Sequence, residues 1–251
     1  MKLHVATYNI HKGVSWFSQR PRIHDMRVAL ESLDADLLFL QEVQGQHDRR
    51  AARYEHWPTQ AQHHFLAGDR RQAAYGMNAA YQHGHHGNAL LSRYPILHHK
   101  NQDVSDHRFE ERGILHCIVD LPSQPVHCYV VHFGLFAAGR RRQTELLIQA
   151  INEATPPDAP LIIAGDFNDW RNHLSQPLRN ALGVEEVFEH VSLQAPGKPP
   201  RAAKTFPVGA PLFPLDRIYV RGVQIKSAQV LQGRPWRSLS DHAPLTADLE
   251  I

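Results

Sequence analysis

The sequence predicts a mixed α/β fold (α+β), with two mixed β-sheets packed face to face and helices on the outside. Three observations carry this. Short apolar runs of strand length, such as DLLFLQEV at 36–43 and LIIA at 161–164, alternate with segments whose apolar residues recur at helical spacing. Two alternating segments, 113–120 and 126–133, flank the turn-rich LPSQP and read as a β-hairpin, which a single doubly wound parallel sheet would not need. Polar residues that can do chemistry then sit repeatedly where these strands stop.

Residues 2–10 alternate loosely and read as the first strand, ending at Asn9 before a polar break, His11-Lys12-Gly13. Ile23, Met26, Leu30 and Leu33 share one face of a helix over 22–33. The strand 36–43 exits at Gln41 and Glu42. Between 44 and 82 the patterning is poor, and the reading is a helix over roughly 45–53 followed by a short strand or loop. HGHHGN at 83–88 reads as a glycine-punctuated loop whose histidines lack a zinc-ligand frame. ALLSRYPI is a strand stopped by Pro95. The second hairpin arm delivers His132. A helix over 140–154 follows, with Arg140, Arg141 and Arg142 read as a solvated first turn, and Pro156 and Pro157 end it. Residues 172–190 look helical and loop-like, and 195–214 read as a surface loop rich in Pro and Gly. Strands over 215–220, 223–231 and the C-terminal segment complete the chain. No repeat or linker divides the 251 residues, so a single catalytic domain over 1–251 is expected.

Composition narrows the function. A net charge of +2 is far from the footprint of a protein that holds long duplex nucleic acid by charge, although 19 histidines add cationic character below neutral pH. Cys117 and Cys128 are too few for a disulfide framework or a thiolate metal site, and free thiols facing each other across the hairpin are expected. No stretch reads as a signal peptide or a transmembrane span, so a cytoplasmic protein without a stable protein partner is the expectation.

The stretch LIIAGDFNDW at 161–170 organises the site. A buried strand ends at Gly165, where the backbone can turn, and period-two alternation sends Asp166 and Asn168 to one side. A carboxylate beside a carboxamide can hold a hard cation and donate to an anion, or it can close the strand as an Asx turn. Asn9, Glu42, Asn88, His132, Asp216, Asp241 and His242 also fall at strand ends or adjoining loops, so one pocket at an edge of the sandwich collects them. Oxygen ligands from Asn9, Glu42 and Asp166 suit Mg²⁺ or Mn²⁺ rather than zinc. Arg112, and Lys204 with Thr205, are candidate phosphate contacts; Arg112 can equally pair with Glu110 or Glu111, and Lys204 can simply be solvated.

TYNIHKG, LQEV, GNALLSRYPI, VHFG, GDFND, LDRIYV and SDHAPL, in that order over nearly the whole chain, resemble the endonuclease/exonuclease/phosphatase superfamily related to deoxyribonuclease I. The resemblance implies a four-layer α/β sandwich that hydrolyses phosphate esters with Mg²⁺. It implies Glu42 as principal metal carboxylate, with Asn9 and Asp241 as supporting ligands. Asp166 would activate water and Asn168 would donate to phosphate oxygens. His132 and His242 would flank the scissile phosphate, and Asp216 would orient one of them. Asn88, Arg112 and Lys204 remain substrate contacts. His11 departs from members that carry an acidic residue two after the first-motif asparagine. The expected activity is a phosphodiesterase acting on nucleic acid or a phospholipid head group. The alternatives are a phosphomonoesterase of the inositol phosphate type and a non-catalytic binding protein of the same fold.

Overall fold

The structure, a computed structural model, describes all residues except 17, 19, 107–109 and 195–198. The chain runs through β1 (Lys2–Asn9), α1 (Ile23–Ser32), β2 (Leu37–His47), α2 (Asp48–Arg53), α3 (Gln62–Ala67), β3 (Gln72–Tyr81) and β4 (Gly84–Ser92). It continues through β5 (Ile96–Asp103), β6 (Gly113–Asp120), β7 (Pro125–His132), α4 (Ala137–Ala154), β8 (Leu161–Asp166) and α5 (Ser175–Leu182). β9 (Glu185–Glu186), α6 (Val187–Leu193), β10 (Asp216–Arg221), β11 (Gln224–Val230), α7 (Trp236–Leu239) and β12 (Leu245–Glu250) complete it.

Two six-stranded sheets result, ordered β11-β12-β1-β2-β4-β3 and β5-β6-β7-β8-β10-β9. Each is built on one parallel pair, β1/β2 or β7/β8, flanked by antiparallel partners. A parallel pair demands a crossover, supplied by α1 and α4, whereas consecutive antiparallel pairs such as β3/β4 and β6/β7 close as hairpins. Sequence periodicity shows both signals for this reason.

Three apolar interfaces make the four layers. Val5, Phe39 and Leu90 of the first sheet meet Leu115, Val130, Ile162 and Ile218 of the second. On the outer face of the first sheet, Leu38, Leu40 and Leu91 lie under Met26 and Leu30 of α1, Leu66 of α3 and Trp236 of α7. On the outer face of the second, Tyr129, Ile163 and Tyr219 lie under Leu147 and Ile151 of α4 and Leu178 of α5. Successive residues of β2 therefore enter different interfaces, and both faces being covered explains its unbroken apolar run.

Several expectations need correction. β2 runs on to His47, so only 48–53 of the expected 45–53 helix is helical, and the weakly patterned stretch after it holds α3 and the ten-residue β3. HGHHGN lies largely within β4 and not in a loop, because pairing to both β2 and β3 satisfies its backbone despite the glycines. β4 ends at Ser92, and the largely exposed ILHHKNQD forms β5, an edge strand too polar for its pattern to register. α4 begins at Ala137, and Arg140 is not solvated: it is buried, donates to the carbonyls of Gly134 and Leu135, and lies over the Trp170 ring. Cys117 and Cys128 do face each other across β6/β7 as free, buried thiols, and burial pushes the Cys117 thiol up to about 12.

Several histidines serve the interior. His116 stacks on Tyr129 and meets His127 at 3.0 Å, and His63 stacks on Tyr75. Burial pulls both His116 and His63 down to about 4. Below the ordinary 6.5 of a free imidazole the unfolded chain takes up protons that the folded chain refuses. Stability is therefore complete above that value and is lost as pH falls toward 4. The melting temperature is expected to fall between pH 7 and pH 5, and to fall less in His116→Gln; thermal denaturation across that range tests this.

Candidate functional site

The carboxyl ends of β1, β2, β7 and β8 meet the start of β10 and the loop before β12. Asp166 ends β8 opposite Asp216 of β10 and beside His132 of β7 in the strand register. Gly165 permits the close approach: a Cβ there would lie 2.0 Å from the Val131 carbonyl oxygen. The reversal itself comes later than expected, at Asn168, whose φ of 48° is left-handed. Its backbone N–H donates to Asp166 Oδ1 at 2.9 Å and its carboxamide to the Phe133 carbonyl at 2.8 Å. The Asx turn and the functional arrangement are thus the same structure, and one Asn168 amide hydrogen remains for another acceptor.

Asp166 is buried at the centre. Asn9 Nδ2 donates to its Oδ2 at 3.1 Å, His132 Nε2 lies 3.6 Å from that oxygen, and His242 Nε2 lies 3.7 Å from it. Burial pushes Asp166 up to about 6, with Asp216 adding to the rise and His242 opposing it. His242 Nδ1 meets Asp216 Oδ2 at 2.8 Å. Burial alone would discharge this imidazole, but the Asp216 and Asp166 carboxylates drive it up to about 10, so it is a cation at neutral pH. His132 goes the other way: burial first, then the Arg112 charge, hold it well below the ordinary value and neutral. Two histidines beside one carboxylate are thereby assigned opposite charge states by their surroundings.

Glu42 arrives by a β-bulge. The β2/β4 register slips between Leu40 and Val43, and Glu42 has φ 56°. A bulge re-aims the side chain out of the pleat, toward the Asn9 end of β1. Burial pushes its carboxyl up, but the Lys12 ammonium beside it overcomes this and holds it well below the usual carboxylate range. Its Oε2 is buried without a well-formed hydrogen bond, although Lys12 Nζ lies 3.1 Å away. An ionised, under-coordinated carboxylate oxygen, carried one residue beyond Gln41, which faces Asn9 in the β1/β2 register, is what a hard divalent cation requires, and the residues fit one. Asp241 joins this side. Ser240 Oγ bonds the Asn9 carbonyl at 2.7 Å and Asp241 Oδ1 at 3.2 Å, and His11 Nδ1 lies 3.4 Å from Asp241 Oδ1. Asp166, Asp216 and His242 also place ligand atoms within 4.8 Å of one another. In that set His242 Nδ1 and Asp216 Oδ2 are already engaged with each other at 2.8 Å, which favours the Glu42 side.

The remaining expected contacts separate. Arg112 donates through Nε to the Phe133 carbonyl at 3.1 Å and through Nη1 to the Glu111 carbonyl, not to a carboxylate, and its charge reaches His132. Asn88 spends its amide group on the Gly113 and Val130 carbonyls at 2.8 and 3.3 Å, stapling the two sheets and leaving no hydrogen for a phosphate. Thr205 accepts from the Asp216 backbone at 3.3 Å, while Lys204 beside it is exposed. Sequence reasoning missed Arg217. It is fully buried, and its guanidinium donates to the carbonyls of Pro214, Asp216 and Asp169, tying the Asp216 strand to the loop of Asn168. An arginine inside the apolar LDRIYV was the available signal. Phe206, unmarked in sequence, packs its ring 5.1 Å from that of His242.

A protein of Escherichia coli K12 described as uncharacterized protein YbhP is 43% identical over 250 residues, covering 98% of this chain and 96% of its own length. Among solved structures, an endonuclease/exonuclease/phosphatase from Bacteroides vulgatus has TM-score 0.74 at 18% identity, covering 100% of this chain and 99% of that one. The human Nocturnin catalytic domain with bound sulfate anion has TM-score 0.73 at 18% identity, covering 99% of this chain and 93% of that one. These structures share the fold. The motifs converging on Asp166 and Glu42 lie inside the residues, 6–242, that match one family description, and the chain belongs to the endonuclease/exonuclease/phosphatase family.

Proposed function

We propose that the chain, as one catalytic unit over 1–251, is a divalent-metal-dependent phosphodiesterase. The observation that carries this is Asp166, a buried carboxylate pushed up to about 6 and flanked by Asn9 and by the cationic His242–Asp216 pair. A carboxylate raised this far is a competent base near neutrality, able to accept a proton from an attacking water. Asn9 holds the carboxylate in place. His242 places a positive charge where a phosphate gains negative charge, and its Nε2 proton is available to a leaving oxygen. The neutral His132 and the spare Asn168 hydrogen donate to non-bridging oxygens, with the Arg112 charge behind them. Glu42, with Asn9 and Asp241, would hold Mg²⁺ or Mn²⁺. Such a cation supplies neutralising charge for the phosphate and its leaving oxygen.

The test is release of p-nitrophenol from its phosphate bis-ester and mono-ester, with Mg²⁺ or Mn²⁺ and with chelator. The bis-ester is expected to be preferred and the activity to vanish on chelation. Preference for the mono-ester would replace this reading with a phosphatase, and chelator-insensitive turnover would remove the metal from it.

A further inference from the structure

A cavity of about 360 Å³ opens beside Ser240 and takes no part in the chemistry above; Ser15, Trp16, Arg22, Arg234 and Arg237 also line it. Three guanidiniums therefore converge on one space, from two parts of the chain separated by more than two hundred residues. Arg22 shares its charge with the exposed Asp25 at 3.2 Å. Arg234 and Arg237 are exposed, and among the described residues their side chains form no ion pair or hydrogen bond. Two of the three thus lack an acidic partner, and like charges gathered so repel one another until an anion joins them. The planar fork of a guanidinium matches phosphate oxygens two at a time.

The cavity is also fixed relative to the catalytic centre. Arg237 sits on α7, whose Trp236 is buried edge-on against Tyr8, at 5.6 Å and 89°, one residue before Asn9. Ser240, on the cavity wall, bonds the Asn9 carbonyl and adjoins Asp241 and His242. On the opposite wall, Ser15 N–H donates to the Arg20 carbonyl and Arg22 N–H to the Gly13 carbonyl, both at 2.8 Å. A bridge between Val14 and Pro21 closes that loop. An anion held here therefore lies at a set place relative to a phosphate at the centre.

We propose that this cavity is a subsite for a second phosphate of the substrate, and that the substrate is single-stranded nucleic acid whose backbone passes from the centre to the arginines. This rests on the phosphodiesterase reading of the centre. Trp16, 43% exposed, lines the same cavity, so an aromatic ring stands beside the guanidiniums, the combination that single-stranded nucleic acid sites use. A net charge of +2 with three guanidiniums on one cavity fits a short single-stranded footprint and not a long duplex tract. The walls contribute serine and arginine rather than an apolar shelf for acyl chains.

The experiment is fluorescence anisotropy of fluorescein-labelled oligothymidylate with the full chain in chelator, comparing wild type, Arg234→Ala/Arg237→Ala, and the remote charge control Arg70→Ala/Lys100→Ala. The paired variant is expected to bind about tenfold more weakly, with a salt slope shallower by about 1.4, for two contacts at about 0.7 each. The control is expected to bind as wild type, and all three proteins to melt alike because the altered side chains are exposed. Equal affinity of the paired variant and wild type, or an equal loss in the control, would overturn the subsite. Arginine-dependent binding to phosphatidylglycerol vesicles without binding to the oligonucleotide would overturn the nucleic-acid assignment. Turnover of bis-p-nitrophenyl phosphate separates the two proposals: its absence beside arginine-dependent oligonucleotide binding refutes the catalytic reading and leaves the subsite standing.

Discussion

Asp166→Asn is expected to lower kcat by about 10²- to 10⁴-fold while leaving the protein at least as stable as wild type. The two effects have one origin. Burial lifts the Asp166 carboxyl to about 6, so the folded chain holds its proton more tightly than the unfolded chain, whose carboxyl titrates near 3.8. Above the folded value the ionised carboxylate opposes folding, and a neutral carboxamide of the same shape removes that opposition. The same substitution removes the proton acceptor. Activity on the bis-ester and the melting temperature at pH 8 together test it. Loss of activity with loss of stability would indicate a structural residue, and retained activity would sink the assignment of the base. For wild type, the rate is expected to fall as pH drops through about 6, where Asp166 takes up its proton.

Asp216→Asn is expected to move the alkaline limb of the pH–rate profile downward and to cost about 10²-fold in kcat/KM above pH 8. Asp216 is the strongest of the neighbours that hold His242 up at about 10 against its burial. Without that carboxylate the burial prevails, and the imidazole becomes neutral in the range where wild type keeps it charged. The sign follows directly: the lost group stabilises the protonated form, so the variant suffers most at high pH and least near pH 6. A carboxamide retains the hydrogen-bonding shape, which separates charge from packing. A pH–rate profile for both proteins decides, and a uniform loss at every pH would show that Asp216 acts only by positioning.

The layers were legible because burial on two faces writes itself into β2 and β8 as continuous apolar runs, and burial on one face writes a stripe into α1 and α4. β5 and β3 were not, because each is an edge strand with few apolar neighbours on one side. HGHHGN misled for a related reason: glycine and histidine carry no strand signal, and only pairing on both sides makes the segment a strand. The run Arg140–Arg142 shows the same limit, since nothing local distinguishes Arg140, which turns inward to backbone carbonyls, from Arg142, which pairs with Asp106.

By itself the sequence determined the alternation of strands and helices, the family motifs, and the residue types that stand at the strand ends. These are local properties, set by spacing along the chain and by side-chain chemistry. Only the tertiary structure decided which groups share a charge environment. Asp166, His132 and His242 converge from three separate segments, and burial beside different neighbours makes one imidazole cationic and the other neutral. The bulge that aims Glu42, the burial of Arg217 and the meeting of Arg22 with Arg234 and Arg237 are likewise products of packing. Electrostatic energy depends on distance through space and on exclusion of water, and neither is set by distance along the chain.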